Sequence, residues 1–224
     1  MKKLQELLTK FDSATLDKLQ NQCSEIAETL FCDYCIYCNN EKEFYFAEVE
    51  FYYWQNGKMD EKWNRLTYPR NCKAADLFFH LSGIDICFNS NYDLEKAEGK
   101  FGGILIRAIK DKFGNITAGP LNCMLKILNE CGNGNMPIIQ PSQQSGINEK
   151  DIKATYRSLG KEDQEEEKEM AVRPQNPLKL CFYDSSIPSD KWGKRPRITL
   201  CKKTGKLKRS ERSEYKLDRF ELQK

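Results

Sequence analysis

Residues 43–52 read EFYFAEVEFY, a run dominated by aromatic and apolar side chains. This composition is typical of a β-strand, and the polar residues 39–42, NNEK, have the character of a turn before it. Glu48 and Glu50 alternate with apolar neighbours, so both side chains lie on one side of the predicted strand. The stretch therefore predicts a strand that carries two carboxylates on one face.

Helices are predicted on the N-terminal side of this strand. Residues 1–31 carry apolar side chains at helical spacing, which predicts two helices joined near Asp12 and Ser13, with Ser13 as an N-cap. Towards the C-terminus, Gly119-Pro120 opens a predicted helix over residues 121–128. Further strands are predicted at residues 76–81, 84–89, 101–109, 178–183 and 197–200.

The chain length of 224 residues suits one domain, 1–224, with a helical segment at residues 1–31. Residues 132–172 are interpreted as a variable insertion. Its first part, 132–146, contains glycines and prolines typical of a flexible connection, and residues 149–170 are predicted to form a polar, acidic helix. No apolar run is long enough to cross a bilayer or to serve as a signal peptide, which predicts a cytoplasmic protein without a membrane partner.

Cys32, Cys35 and Cys38 form a C-x2-C-x2-C pattern within a β-like stretch. On a strand, the first and third of these cysteines share a face and the second points to the other side. That geometry does not gather three thiolates on one ion, and no fourth ligand stands at a familiar spacing, so no metal site is predicted. Because nothing indicates export, the ten cysteines are expected to be reduced thiols.

Arg107 is a lone charge inside the predicted apolar strand 101–109. Charges within such strands are unfavourable unless they are paired or used. An arginine paired with Glu48 or Glu50 would form a structural ion pair, or would keep a carboxylate ionised so that it can activate water. The residues alone leave both interpretations open.

Several short motifs then resemble those of the methylpurine-DNA (alkyladenine) glycosylases. Residues 46–52 look like an E-x-E-x-Y strand, residues 69–71 like P-R-N, residues 83–89 like G-x-x-x-C-x-N, residues 105–108 like L-I-R-A, and residues 119–120 like the later G-P. Weaker matches are a P-R-I at residues 196–198 and an R-F at residues 219–220. The resemblance is carried mostly by residues 46–128 and rests on the shared order of the motifs.

The resemblance implies an α+β fold, a mixed, mostly antiparallel curved sheet surrounded by helices, in an enzyme that hydrolyses the base–sugar bond of DNA. Glu50 takes the position of the general base that activates water, and Arg107 takes the position that orients it. Tyr52 falls at a base-stacking position and Asn89 at the pocket wall. The implied partner is duplex DNA, bound by a monomer on the minor-groove side with no cofactor.

Three departures from the family pattern bear on the substrate. The family's pocket histidine falls on Glu61, so Asp60 or Glu61 would accept a hydrogen bond from an exocyclic amino group. The stacking tyrosine falls on Phe79, after a segment about five residues shorter than the family's. The family's tyrosine that wedges into the duplex falls on Ser82. Either His80 or Leu81 fills the space left by the flipped nucleotide instead, or the protein prefers DNA that is already distorted or single-stranded. These departures predict a modified base other than alkylated purines, or a range broader than them that includes bulky modified pyrimidines of viral DNA. Repair and defence against phage both remain open.

Net charge is only +3, so phosphate contacts must come from local clusters. The candidate DNA-binding residues are Arg70, Asn71, Lys73, Ser82, Arg195, Arg197, Lys202, Lys203, Lys208 and Arg209. His80 is the only histidine in the chain, which argues against a Ser-His-Asp mechanism. Two alternatives remain: a reader of altered DNA without turnover, and an interaction protein that uses the predicted helix at residues 151–170.

Overall fold

The strand expected around residues 43–52 is flanked by other strands on both sides. In this computed structural model it forms β2 (Lys42–Gln55) and pairs over most of its length with β5 (Lys100–Asp111). Its other side pairs first with β1 (Tyr34–Cys38) and then, at residues 48–50, with β9 (Leu180–Asp184). β2 therefore joins the two halves of the sheet.

The structure describes residues 2–11, 16–38, 42–55, 69–93, 95–96, 98–132, 134–142, 147–156, 180–192, 197–200 and 207–210. Within these ranges the chain is a mixed α+β fold, with three helices and an antiparallel main sheet that curls into a half-barrel. The α+β class and the antiparallel, curved sheet expected from the sequence are confirmed at this level.

The remaining strands extend this sheet at both edges. They are β3 (Leu77–His80), β4 (Gly83–Cys87), β6 (Ile116–Ala118), β7 (Ile138–Pro141) and β8 (Ile152–Tyr156). The main order is β3-β4-β5-β2-β1-β7, while β6 pairs with β5, and β8 pairs with β9. A separate hairpin consists of β10 (Arg197–Leu200) and β11 (Leu207–Ser210).

Three helices pack against one face of the main sheet and form the core with it. They are α1 (Lys2–Lys10), α2 (Leu16–Asp33) and α3 (Pro120–Cys131). Each contributes apolar residues at helical spacing, such as Leu4 and Leu8 of α1, to one buried cluster. Proline at the first position of α3 fits a helix start because its missing N–H would have no partner there. The two helices expected within residues 1–31 and the helix expected at 121–128 are confirmed, while Asp12 and Ser13, the expected joint and N-cap, lie outside the described residues.

Two expectations for the second half of the chain are wrong. The segment interpreted as a flexible connection contains β7, which pairs with β1, and the helix predicted from residue 149 is a strand, β8, over Ile152–Tyr156. Both strands are short and gain their hydrogen bonds from distant partners, which local composition does not reveal. Residues 157–179, which hold the rest of that predicted helix, lie outside the described ranges.

The position of Cys32 also differs from the expectation. It lies on the last turn of α2, whereas Cys35 and Cys38 lie on β1. The helix continues two residues beyond the expected boundary, so the cysteine pattern spans a helix and a strand. In the portion of the chain that the structure covers, no helix has both the length and the apolar character needed to cross a bilayer.

Replacing Ile106 by alanine tests the importance of the core between sheet and helices. Ile106 is 1% exposed in the main cluster, so we expect the free energy of unfolding to fall by about 2–5 kcal/mol, from lost burial and the cavity left behind. The matched control is Leu81→Ala, at a side chain 90% exposed, which should change it by less than about 0.5 kcal/mol. Urea unfolding followed by circular dichroism measures both, and equal losses would contradict this assignment of the core.

Candidate active site

The face of the main sheet that points away from the helices carries several buried charged side chains. Glu50 pairs across the sheet with Leu105, and Leu105 pairs in turn with Asp85. Directly paired residues of antiparallel strands point to the same face. Because Ile104 and Ile106 on either side of Leu105 belong to the core cluster, this row points the other way. We call it the charged face; Glu48, Glu50, Asp85 and Arg107 lie on it.

Two irregularities in the pairing of β2 with β5 lie beside these charges. Phe46 pairs with Ile109 and Glu48 with Ala108, which leaves Ala47 as an extra residue in β2. Val49 then pairs with Ile106, which leaves Arg107 as an extra residue in β5. Bulges of this kind redirect side chains and are frequent next to active sites. Here they bring Arg107 against the carboxylates of β2.

Arg107 binds both glutamates of β2 at once. Its Nε donates to Oε1 of Glu48 at 2.8 Å, and its Nη1 donates to Oε2 of Glu50 at 2.6 Å. The side chains are only 7%, 2% and 0% exposed for Arg107, Glu48 and Glu50. The planar guanidinium offers donors in a fixed geometry, so this contact fixes the orientation of the Glu50 carboxyl group. The guanidinium is therefore shared between two acidic side chains.

A second buried ionic network lies on the charged face, one strand further from β2. Nη1 of Arg70 donates to Oδ2 of Asp85 at 2.7 Å, and Nε2 of His80 lies 3.2 Å from Oδ1 of the same carboxylate. The guanidinium also stacks on the ring of Phe78, with its Cζ 4.2 Å from the ring centre. Gly103 makes room for it, because a Cβ there would lie 3.3 Å from Arg70 Nη1. Arg70 is therefore an interior residue.

The structure brings one predicted pocket residue onto the face of Glu50. Tyr52 follows Glu50 by two positions on β2, so it shares this face, and it is half-buried. Phe79 points to the opposite face, where it packs against the core cluster beside Ile84. Asn89 is exposed just beyond β4, and its N–H binds the carbonyl oxygen of Leu8. The aromatic residue of β3 that shares the charged face is Phe78, not Phe79.

The predicted DNA contacts that surround Arg70 differ in exposure. Asn71 binds the backbone of Tyr92 twice, through its Nδ2 and through its Oδ1, each at 2.7 Å, and so ties two loops together. Lys73 is exposed and available for a phosphate contact. Ser82 is exposed in the two-residue turn between β3 and β4. Arg70, in contrast, is 1% exposed at its side chain and does not reach the surface.

Other predicted site residues are described only in part or not at all. Asp60, Glu61, Arg195, Lys202 and Lys203 lie outside the described residues. Arg197, Lys208 and Arg209 lie on the β10–β11 hairpin, where Arg197 pairs with Ser210, Thr199 with Lys208 and Ile198 with Arg209.

The two candidates for a side chain that fills a gap in the duplex occupy opposite environments. Leu81 is 90% exposed at the tip of the β3–β4 hairpin. His80 is only 8% exposed at its side chain and contacts Asp85. Of the two, Leu81 is the one that reaches outward.

The cysteines of the C-x2-C-x2-C pattern do not form a cluster of free thiolates. Burial raises the pKa of the Cys35 thiol to about 11, and it raises the pKa of Cys38 further. Sγ of Cys38 donates to the carbonyl oxygen of Ile127 at 3.6 Å. Within the described ranges, no three His, Cys, Asp or Glu side chains converge as metal ligands would.

Asp85 is the site residue that the sequence interpretation missed. It lies between Ile84 and Ile86 in an apolar strand, the same signal that singled out Arg107. Its partner Arg70 was assigned to the surface because arginines near a predicted loop usually contact phosphate or solvent. A lone carboxylate in an apolar strand needs a cation nearby, so Asp85 could have indicated a second buried ion pair.

Replacing Arg107 by methionine tests the ionic contact at β2. The variant keeps most of the side-chain volume but leaves two buried carboxylates without their cation, so we expect unfolding to become easier by about 3–5 kcal/mol at neutral pH. Lys112→Met, at an exposed position, is the control. A loss below about 1 kcal/mol would contradict this description.

Comparisons of the chain with protein-family models, with curated proteins and with solved structures found no match.

Proposed function

We propose that this protein is a DNA N-glycosylase with a methylpurine-DNA glycosylase-like fold, which hydrolyses the base–sugar bond of a flipped-out nucleotide. The observation that carries the proposal is the Glu50 carboxyl group held at 2.6 Å by Arg107 on a buried, charged sheet face. The order of the family-like motifs along the chain supports the same assignment. A carboxylate oriented by an arginine in a water-poor site is suited to general base catalysis.

The proposed reaction needs only water and the DNA substrate. Glu50 removes a proton from a water molecule whose oxygen bonds to C1′ of the deoxyribose. The bond from C1′ to the base nitrogen breaks, and its electron pair leaves with the base. Glu50 then passes the proton that it took to the departing base or to solvent, so the products are the neutral free base and an abasic site, and the DNA backbone remains intact. Arg107 is the positioning residue, since it fixes the direction of the Glu50 oxygens.

The charges around Glu50 also suit the transition state of this reaction. Breaking a glycosidic bond develops positive charge on the sugar, which a nearby carboxylate stabilises. Glu48 places a second acidic side chain on the same guanidinium, next to Glu50. Because Glu50 is shielded from bulk solvent, a flipped nucleotide reaches it only when side chains around it shift.

The partner in this proposal is duplex DNA. Leu81 projects from the β3–β4 tip and would fill the space that the flipped nucleotide leaves, as apolar side chains do in other minor-groove proteins. Lys73 and the basic residues near the C-terminus, among them Lys208, would contact phosphates.

The proposed substrate is a modified base, in a range broader than alkylated purines. The motif alignment replaces the family's pocket histidine with Glu61, whose carboxylate accepts hydrogen bonds only. An exocyclic amino group, as on cytosine or adenine derivatives, would satisfy Asp60 or Glu61. Bulky modified pyrimidines of viral DNA are therefore included among the candidates.

A base-release assay tests the activity and the substrate together. Duplexes with alkylated, deaminated, unmodified and virus-type modified bases are incubated with the protein, and free bases and abasic sites are quantified. We expect release from at least one modified base, and a fall of about 100- to 10,000-fold in the Glu50→Gln variant, which retains the shape but not the basicity of the side chain. Glu95→Gln, at an exposed glutamate, should release the base at the wild-type rate.

Two results would refute parts of this proposal. Tight binding of a modified duplex without release by the wild-type protein would favour a reader of altered DNA and make Glu50 a structural partner of Arg107. Rapid release of 3-methyladenine or hypoxanthine, and of nothing larger, would reject the broad substrate range.

A further inference from the structure

The turn at the β3–β4 tip is connected to the interior through His80. The backbone N–H of Ser82 donates to Nδ1 of His80 at 3.2 Å. The other ring nitrogen, Nε2, lies 3.2 Å from Oδ1 of Asp85, whose second oxygen accepts a hydrogen bond from Arg70. One imidazole therefore links the exposed turn to a buried ion pair.

These two contacts match an imidazole that carries its proton on Nε2. A backbone N–H can only donate, so Nδ1 must carry a lone pair while the Ser82 contact exists. A carboxylate can only accept, so the ring proton is on Nε2 and is donated to Asp85. His80 in this arrangement is neutral. A second proton on Nδ1 would face the Ser82 N–H, and that hydrogen bond would be lost.

The network has a rigid base and an exposed end. The side chains of Arg70 and Asp85 are 1% and 3% exposed, and the stack of Arg70 on Phe78 holds the guanidinium in place. Leu81, between the two residues of the hydrogen bond, is 90% exposed. Loss of the Ser82 contact would therefore affect the turn that carries Leu81 far more than the buried pair.

Several charged or titratable groups lie on the same sheet face as His80. Asp85 of β4 contacts it directly, Arg70 acts through Asp85, and Glu50 lies on the same face beyond Leu105. Burial raises the pKa of the neighbouring Cys87 thiol to about 12, so that group stays protonated. His80 is the only histidine in the chain, and histidine is the side chain that ordinarily changes charge between about pH 5 and pH 8.

We infer that neutral His80 is a positioning residue that holds the turn at the β3–β4 tip in place and presents Leu81 to duplex DNA, so that engagement of a duplex weakens when His80 is protonated. The inference rests on the proposed DNA-directed function. It assigns to His80 a role in duplex binding through the turn, and no direct contact with the reacting atoms.

Two substitutions separate the two hydrogen bonds of the ring. In His80→Asn, the side-chain oxygen lies near the position of Nδ1 and accepts the Ser82 N–H at any pH. In His80→Gln, the side-chain amide reaches the position of Nε2 and donates to Asp85, but offers nothing to Ser82. Both variants lack a titrating imidazole, and each preserves one contact of the wild type.

The measurements are amide exchange at Ser82, corrected for intrinsic rates, and the ratio of affinities for duplex and single-stranded DNA. Both quantities are measured at about pH 7.5 and at about pH 5.5. For the wild type, we expect the protection of the Ser82 amide and the preference for duplex DNA to be about two- to tenfold lower at the lower pH, which is the value of one hydrogen bond. His80→Asn should keep the protection of Ser82 and the duplex preference at both pH values. His80→Gln should have low Ser82 protection and a low duplex preference at both pH values. Leu81→Ala should lose the duplex preference while Ser82 stays protected.

Wild-type protection that does not change with pH, or an equal change in His80→Asn, would overturn the inference whatever the base-release assay gives. A duplex preference that Leu81→Ala leaves intact would likewise overturn the role of the tip. Base release measured on the same samples tests the glycosylase proposal separately, because Ser82 exchange requires neither DNA nor turnover.

Discussion

The contact of Arg107 with Glu48 and Glu50 is the interaction on which the architecture of the site depends. It joins β2 to β5 at the place where each strand has an extra residue, on the sheet face opposite the helices. A buried ionic group of this kind contributes little net stability compared with apolar packing, but removing one partner is strongly unfavourable. The fold therefore retains a charged group where an apolar one would suffice for stability, which is the reason to look for a chemical role there.

The charged face carries a second ionic network with a different character. Arg70 and Asp85 form a pair that is almost fully buried, and His80 connects it to an exposed turn. Leu105 separates Asp85 from Glu50 in the same row across three strands. In our account, the network at Glu50 performs the chemistry and the network at Asp85 supports the contact with DNA. Both follow from charged residues placed inside apolar strands.

Part of this arrangement was predictable from the sequence, and the reasons differ from residue to residue. Glu48, Glu50 and Arg107 stand alone in apolar runs, so burial and pairing follow from the high free energy of an isolated buried charge. Phe79 was assigned to the pocket, but the face on which a side chain lies depends on the register of a two-residue turn, which places Phe78 there instead. The strands β7 and β8 depend on distant partners, and local patterns are uninformative about such pairings.

The central claim is that the Glu50 carboxylate is catalytic. Its most direct test uses the positive charge that the proposed reaction develops on the sugar, so the identity of the base need not be known. Wild-type protein and Glu50→Gln are compared for binding to duplexes that contain a cationic pyrrolidine or a neutral tetrahydrofuran in place of one nucleoside. Because transition-state mimics bind enzymes far more tightly than neutral analogues, the account predicts a wild-type preference of about 100-fold or more for the cation, largely lost in the variant. Equal affinity of the wild type for the two duplexes, or a preference that survives in Glu50→Gln, would contradict a catalytic role for this carboxylate.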